Sequence, residues 1–331
     1  MRQKCWLAGM AILLLLPVLL FPLQPDMKNY RADAQTADAA TKPVQWLEEH
    51  WPFRTALITA RGTVLQWLGS SGSDQVTQGK DGFLYYTETL TASQPNNSQS
   101  IEQLCRLQQE LAAQGQTLYV LIAPDKRSIY AEKLPYTCVL LPESELASIQ
   151  ESLGRAGIPA IDAHSALLSA KQEGQVYYSG DTHWNACGAL AVYRAMMEVC
   201  GMTDAPLYEE TTFTEGEAGD LQVLCLPGLS TVEPDAAPVL ERSYRTVKPI
   251  RTMNDMKIET TSDTTDHSLL LIRDSFGAGL FPYLANSMGH LVLSRGYTGI
   301  AEQAAACGAD TVIVEIVQRN FAGLTLYEAD E

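Results

Sequence analysis

The chain has 331 residues, enough for one large domain or two modest ones with a sizeable core. Its 46% hydrophobic content is that of a globular protein. A formal charge of -16 offers nothing to attract a phosphate backbone. That balance argues against a nucleic-acid role and suits a neutral or sugar-like substrate.

The N-terminus stands apart. Arg2 and Lys4 precede an uncharged, mostly apolar run from Cys5 to Leu23, close to the ~20 residues of a spanning helix. Positive charge before the run predicts a cytoplasmic N-terminus and an exported remainder. The run is interrupted by Pro17, which a spanning helix tolerates. A cleaved signal peptide is the competing reading, although the small-x-small Ala32-Asp33-Ala34 lies well beyond the run. A retained anchor at 1–24 is favoured, then a polar linker at 25–45 and a folded domain at 46–331. This arrangement predicts a single-pass membrane protein with its domain on the extracytoplasmic side.

In chain order, Trp46 to Leu68 reads as a helix from apolar residues at three and four spacing. Gly79-Lys80-Asp81-Gly82 before Phe83-Leu84-Tyr85-Tyr86 predicts a hairpin, and 91–99 a loop. An alternation follows: helix 101–114 closed by Gly115, strand 117–122, helix 144–155, strand 158–161 and helix 186–199. Residues 201–265 read as irregular and polar. Strand 268–272, helix 280–287, strand 290–293, helix 300–306 and strand 311–317 complete the chain. The expected fold class is therefore α/β, a parallel sheet covered on both faces, with ligands at the carboxyl ends of its strands.

Six cysteines follow Cys5: Cys105, Cys138, Cys187, Cys200, Cys225 and Cys307. An exported chain could join them in disulfides; buried free thiols are the other reading. Cys187 and Cys200 share a predicted helix, about 20 Å apart at ~1.5 Å per residue, and cannot bond to each other.

Two segments carry candidate chemistry. The buried strand Ser268–Ile272 runs into Arg273-Asp274-Ser275-Phe276-Gly277, placing the Ser275 hydroxyl at a strand end near a helix start, where backbone N–H groups can stabilise an oxyanion. A capping role for Asp274 or Ser275 explains the motif equally well. A serine nucleophile needs a base, and the base an orienter. Among five histidines, His183 differs by its company, two aromatics leading into a glycine turn with an acidic residue two before it, in Tyr177-Tyr178-Ser179-Gly180-Asp181-Thr182-His183-Trp184-Asn185. Asp181 beside the imidazole would fix its tautomer and raise its basicity; an N-cap at Asp181 or Thr182 is the bland alternative. Asp162-Ala163-His164 repeats the spacing, but capping accounts for it and no metal is expected. Lys126 and Arg127 follow the 117–122 strand, and Arg295 and Tyr297 follow the 290–293 strand; all four are candidates to line the same rim. Glu315 and Arg319 flank the end of the last strand as a candidate ion pair.

The ordered blocks resemble the AlgJ/AlgX and DHHW proteins of the SGNH-hydrolase-like superfamily. They are Trp51-Pro52-Phe53-Arg54, Gly79 to Tyr85, Ala123-Pro124-Asp125-Lys126 with Ile129-Tyr130, Asp181 to Asn185, Gly219-Asp220-Leu221, Asp274-Ser275-Phe276, and Glu315 with Arg319. The resemblance implies a Rossmann-like three-layer fold, with Ser275 as nucleophile, His183 as general base and Asp181 as its orienter. It implies O-acetylation of an exported or cell-wall polysaccharide, with a membrane-bound O-acyltransferase as acyl donor and no cofactor. The family's usual glycine before Asp-Ser is Arg273 here, which predicts an altered turn. The Ser275 N–H is the first oxyanion donor expected, and Gly277 the second. A carbohydrate acetylesterase using the same three residues, and a non-catalytic glycan-binding or assembly protein on the same fold, remain alternatives.

Overall fold

The computed structural model describes residues 53–68, 70, 73–91, 96–135, 144–208 and 211–327. The expected anchor and linker lie outside the described residues, as does Cys138. No helix among the described residues is long and apolar enough to cross a membrane.

The described residues form two compact units, one joining the residues before 74 to 223–230 and the other holding the rest. In the smaller unit, helix α1 (Arg54–Trp67) presents Gly62 to the second segment. A Cβ there would stand 2.2 Å from the Cys225 carbonyl oxygen, so only glycine permits this approach. The Gly228 N–H donates to Thr59 Oγ1 at 2.9 Å.

The larger unit opens on the predicted hairpin, β1 (Val76–Gln78) and β2 (Leu84–Tyr86). Asp81 and Gly82, both at positive φ, make its turn. Helices α2 (Thr87–Thr91) and α3 (Ser98–Ala113) follow, so helix begins inside the expected 91–99 loop. Next come β3 (Thr117–Ala123), α4 (Lys126–Ile129), α5 (Ser144–Arg155), β4 (Ala160–Ile161), α6 (Ala163–Ala170) and α7 (Ala186–Val199).

The 201–265 segment is not irregular throughout. It holds β5 (Thr211–Ala218) paired with β6 (Val232–Pro238), and then β7 (Tyr244–Thr246) and β8 (Lys257–Ser262). In β8 only Ile258 and Thr260 are buried. A half-exposed strand rich in Thr and Glu has no continuous apolar run to announce it. The chain ends with β9 (Ser268–Ile272), a 3-10 turn (Phe276–Leu280), α8 (Phe281–Ser287), β10 (His290–Ser294), α9 (Ile300–Cys307) and β11 (Thr311–Val317).

Seven strands form one sheet in the order β4-β3-β11-β9-β10-β8-β7. The first five are parallel; β8 runs antiparallel to both neighbours. Alternate residues of the central strands enter two separate cores. Leu121, Leu269, Leu271, Ile313 and Val317 pack with α6, α7 and α8. Val120, Leu270, Ile272, Val312, Val314 and Ile316 pack with α3, α5 and α9. This is the expected three-layer α/β arrangement. From β3 the chain moves to one edge through β4, and from β9 to the other through β10, with β11 between. That reversal opens a crevice at the carboxyl ends of β3, β11 and β9, the usual ligand position in such sheets.

Cys105, Cys187, Cys200, Cys225 and Cys307 are free thiols. Burial pushes the Cys200 thiol up to about 12, which leaves it protonated and unreactive.

Candidate active site

Both candidate segments reach this crevice. Ile272 ends β9, and the chain turns at once so that Ser275 is exposed above it. Beneath the serine, Phe276 is fully buried, worth roughly 2–3 kcal/mol as an anchor for the turn. The Asp274 carboxylate accepts from the N–H of Phe276 and of Val317, each at 2.8 Å. It therefore braces the turn against the end of β11 rather than capping a long helix. Glu315, wholly buried on β11, accepts from the N–H of Asp274 at 3.0 Å and of Gly277 at 3.2 Å. Burial, with the neighbouring Asp274 charge, raises its pKa well above the usual carboxylate range.

Arg273 does not distort the turn. Positive φ among the described non-glycine residues occurs only at Phe53, Asp81 and Tyr208. The Arg273 side chain is buried, donating to the carbonyls of Asp274 and Met253. No positive φ therefore calls for glycine at position 273.

The histidine comes from a closed loop. Tyr177 and Trp184 form an isolated antiparallel bridge, so the residues between them project as a tight excursion. Asn185, not Asp181 or Thr182, caps α7, its side chain accepting from the Gly188 N–H at 2.9 Å. Asp181 is thus left to other work. Its Oδ1 lies 2.6 Å from His183 Nδ1 and also accepts from the His183 N–H at 2.8 Å. His183 Nε2 lies 2.8 Å from Ser275 Oγ. With Nδ1–H donated to Asp181, Nε2 is left to accept the serine proton. The imidazole rests on Phe276, ring centroids 4.7 Å apart, and Trp184 meets the same ring edge-on at 5.0 Å.

Burial disfavours the charged imidazolium, but the Asp181 hydrogen bond and charge outweigh it; Asp220 and Asp274 add to them, and the His183 pKa is raised. Burial likewise opposes the Asp181 carboxylate, while His183 and the N–H groups of Asp220 and His183 hold its pKa below the ordinary value.

Asp220 is the site residue that sequence reasoning did not assign. Its carboxylate accepts from Thr182 N–H at 2.8 Å and Thr182 Oγ1 at 2.6 Å, and its own N–H donates to Asp181 Oδ2 at 2.8 Å. Gly219 allows this, because a Cβ there would stand 2.2 Å from the Gly180 carbonyl oxygen. The available signal was the Gly219-Asp220-Leu221 block. Asp181, His183 and Asp220 offer ligand-type atoms within 4.8 Å of one another, yet each of those atoms already has a hydrogen-bond partner within the site. Asp162 and His164 are not part of this group. Asp162 caps α6 through the Ser165 N–H at 3.0 Å, and His164 lies 3.3 Å from the Ser128 carbonyl oxygen.

The rim candidates are otherwise engaged. The buried Lys126 ammonium donates to the carbonyls of Tyr178, Ser179 and Asp181 at 3.0, 2.9 and 2.6 Å. Its three N–H bonds are used, leaving none for a substrate. Burial lowers its pKa to about 7 against the opposing charges of Asp181, Asp220 and Glu233. Arg127 pairs with Glu145 at 2.5 Å. The Gly277 N–H is taken by Glu315, so Gly277 is not a free oxyanion donor. The Tyr297 hydroxyl donates to the Glu315 carbonyl at 2.6 Å, and Arg295 to Asn254 Oδ1 at 2.8 Å. Glu315 and Arg319 do not pair; Arg319 binds the buried Asp125 at 2.5 Å. Of the N–H groups from 274 to 277, that of Ser275 alone has no hydrogen-bond partner among the described residues.

A mostly parallel sheet covered by helices on both faces thus carries the Ser275–His183–Asp181 hydrogen-bonded series at its carboxyl edge. Residues 76–306 match the family described as an SGNH hydrolase-like domain of the acetyltransferase AlgX type, and the chain belongs to that family. A probable alginate O-acetylase AlgJ of Pseudomonas syringae pv. tomato is 31% identical over 174 residues, which is 50% of this chain and 44% of that protein. The chain thus spans under half the length of this curated relative. Among solved structures, Bacillus cereus PatB1 with a sulfonyl adduct superposes at a TM-score of 0.60 and 16% identity, covering 74% of this chain and 95% of that one. The O-acetyltransferase domain of Pseudomonas putida AlgJ superposes at 0.52 and 17% identity, covering 75% and 92%. At these identities the two structures speak for the fold.

Proposed function

We propose that the protein is an extracytoplasmic O-acetyltransferase that modifies hydroxyls of an exported or cell-wall polysaccharide through an acyl-enzyme on Ser275. The observation that carries this reading is the unbroken series from Ser275 Oγ through His183 to Asp181, at 2.8 and 2.6 Å, in a chain of an acetyltransferase family.

In the first step, the Ser275 Oγ–H proton passes to His183 Nε2 while Oγ attacks the acyl carbonyl. Negative charge gathers on the carbonyl oxygen, where the Ser275 N–H is free to donate. Asp181 stabilises the imidazolium. The carbonyl re-forms, the donor's leaving oxygen takes the proton from Nε2, and acetyl remains on Oγ. A sugar hydroxyl then gives its proton to Nε2 and attacks the ester; Ser275 Oγ leaves and recovers a proton from Nε2. In this scheme the residues of the site supply nucleophile, base and oxyanion donor.

The acidic chain suits an uncharged acceptor, and the apolar run 5–23 after Arg2 and Lys4 supports export of the domain with a membrane tether. Acetyl-coenzyme A is cytosolic, so the donor in this scheme is a membrane-bound O-acyltransferase that hands acetyl across the membrane. The test is a chromogenic acetyl ester offered with and without an oligosaccharide acceptor. Acetylated sugar should form at the expense of free acetate. Acetate release unchanged by the sugar, with no acetylated product, would overturn transfer in favour of ester hydrolysis, and no turnover at all would favour a binding protein.

A further inference from the structure

The His183 loop is held by its backbone from two sides. Lys126, just beyond the end of β3, donates to the carbonyls of Tyr178, Ser179 and Asp181. Glu233, on β6, accepts from Ser179 N–H at 2.8 Å, Ser179 Oγ at 2.8 Å and Gly180 N–H at 2.6 Å. Within residues 178–181 one ammonium takes three of the four carbonyls and one carboxylate takes two of the backbone N–H groups; the Gly180 carbonyl accepts from the Gln222 N–H and the Tyr178 N–H donates to the His183 carbonyl. That stretch has no helix or strand of its own to satisfy these groups. The hairpin adds a further tie, the Leu84 N–H donating to the Ser179 carbonyl at 2.8 Å.

We propose that Lys126 and Glu233 form a positioning clamp that fixes residues 178–181 and so presents Asp181 and His183 to Ser275. The inference rests on the acyl-transfer reading of that site. Neither side chain touches the reacting atoms; each acts through the loop. Lys126 reaches the carbonyl of Asp181, the residue whose side chain orients the imidazole, at 2.6 Å. Loss of Lys126 frees carbonyls two, four and five residues before the base, and loss of Glu233 frees N–H groups three and four residues before it. The three donations require the ammonium form, since a neutral amine has only two N–H bonds for three carbonyls; burial opposes that form and draws the Lys126 pKa down to about 7, against the charges of Asp181, Asp220 and Glu233.

The experiment uses the full chain carrying Lys126→Met or Glu233→Gln. Turnover of a chromogenic acetyl ester is measured together with the His183 ring titration by NMR. The clamp predicts at least a tenfold fall in kcat with KM within twofold, and a His183 pKa moved down toward the ordinary histidine value, in both variants. A folded variant whose kcat and His183 titration stay within twofold and a few tenths of a pH unit of the parent overturns the clamp. If Lys126→Met does not fold, Glu233→Gln decides alone, because its half-exposed carboxylate is replaced by an isostere that still offers one acceptor. Ser275→Ala run alongside separates the two ideas: full turnover there would defeat the acyl-transfer reading, whatever the clamp variants do.

Discussion

The Ser275 turn takes its support from carboxylates at the ends of two neighbouring sheet strands, whereas the His183 loop takes its support from charged side chains on three separate segments. Around Ser275, Asp274 and Glu315 bind backbone N–H groups at the ends of β9 and β11, and Phe276 plugs the core below. Around His183, the partners are Lys126 after β3, Asp220 after the loop and Glu233 on β6. A nucleophile on a turn locked by the buried Glu315 and the partly buried Asp274 has little freedom. A base on a loop tied by charged side chains is adjustable, since each tie can be cut without emptying the core.

The comparison predicts different failures for the two halves. Removing the base itself should cost most: His183→Ala is expected to lower kcat by roughly 10³-fold or more while the protein stays folded, as losses within a cooperating serine–histidine set do. A kinetic assay paired with a thermal melt checks this. A fall below tenfold would break the assignment of the base.

Cutting the support of the serine turn should instead cost stability. Glu315→Ala strands one buried and one partly buried N–H donor and is expected to lose about 3 kcal/mol, at roughly 1–3 kcal/mol per unpaired group. Urea unfolding measures it. Glu315→Gln keeps an acceptor oxygen and should lose much less. Its pH dependence adds a sign. The Glu315 pKa is raised on folding, so its contribution is full below the unfolded value and lost as pH rises through the folded one. Above about pH 4.3, the ordinary glutamate value, the Gln variant should therefore gain on the parent as pH rises. A gap that is flat or opposite in sign would show Glu315 to be ionised in the fold.

The smallest effect is expected at Asp220. Its charge helps to raise the His183 pKa, and neutral imidazole is the working base. Activity should therefore fall as pH drops through a value above about 6.5, the ordinary histidine pKa. In Asp220→Asn the acid limb of kcat/KM should move to lower pH, with less than about tenfold loss at its optimum, below the roughly 10²–10⁴-fold worth of a general base itself. An acid limb that stays put would place the tuning of His183 elsewhere.

The same contrast explains what could be read from sequence. Ser268–Ile272 followed by Asp274-Ser275 is a local pattern, an apolar strand breaking into a polar turn, and it lies where that pattern places it. Asp181 and His183 were visible through spacing two residues apart. Their supports were not, because Lys126, Asp220 and Glu233 meet only after the chain has crossed the sheet. Lys126 shows the limit well. A lysine after a strand end suggests a substrate contact, and only its burial among three carbonyls reveals that the loop consumes it. Glu315 left a fainter mark, a lone acid inside Thr311–Val317, an otherwise apolar strand, and its partner is the serine turn rather than Arg319. The strands β5 to β8 were hidden by their polar composition: β7 and β8 form the sheet margin and β5 and β6 a separate two-stranded pair, neither of which needs a continuous apolar run.

The measurement that bears most directly on the whole account is the site of covalent acetylation. The protein would be mixed with an activated acetyl ester, quenched within the first turnover and digested for mass spectrometry. The account predicts an added acetyl group on Ser275, absent in Ser275→Ala and formed far more slowly in His183→Ala. Acetyl on another residue, or turnover that survives in Ser275→Ala, would contradict it.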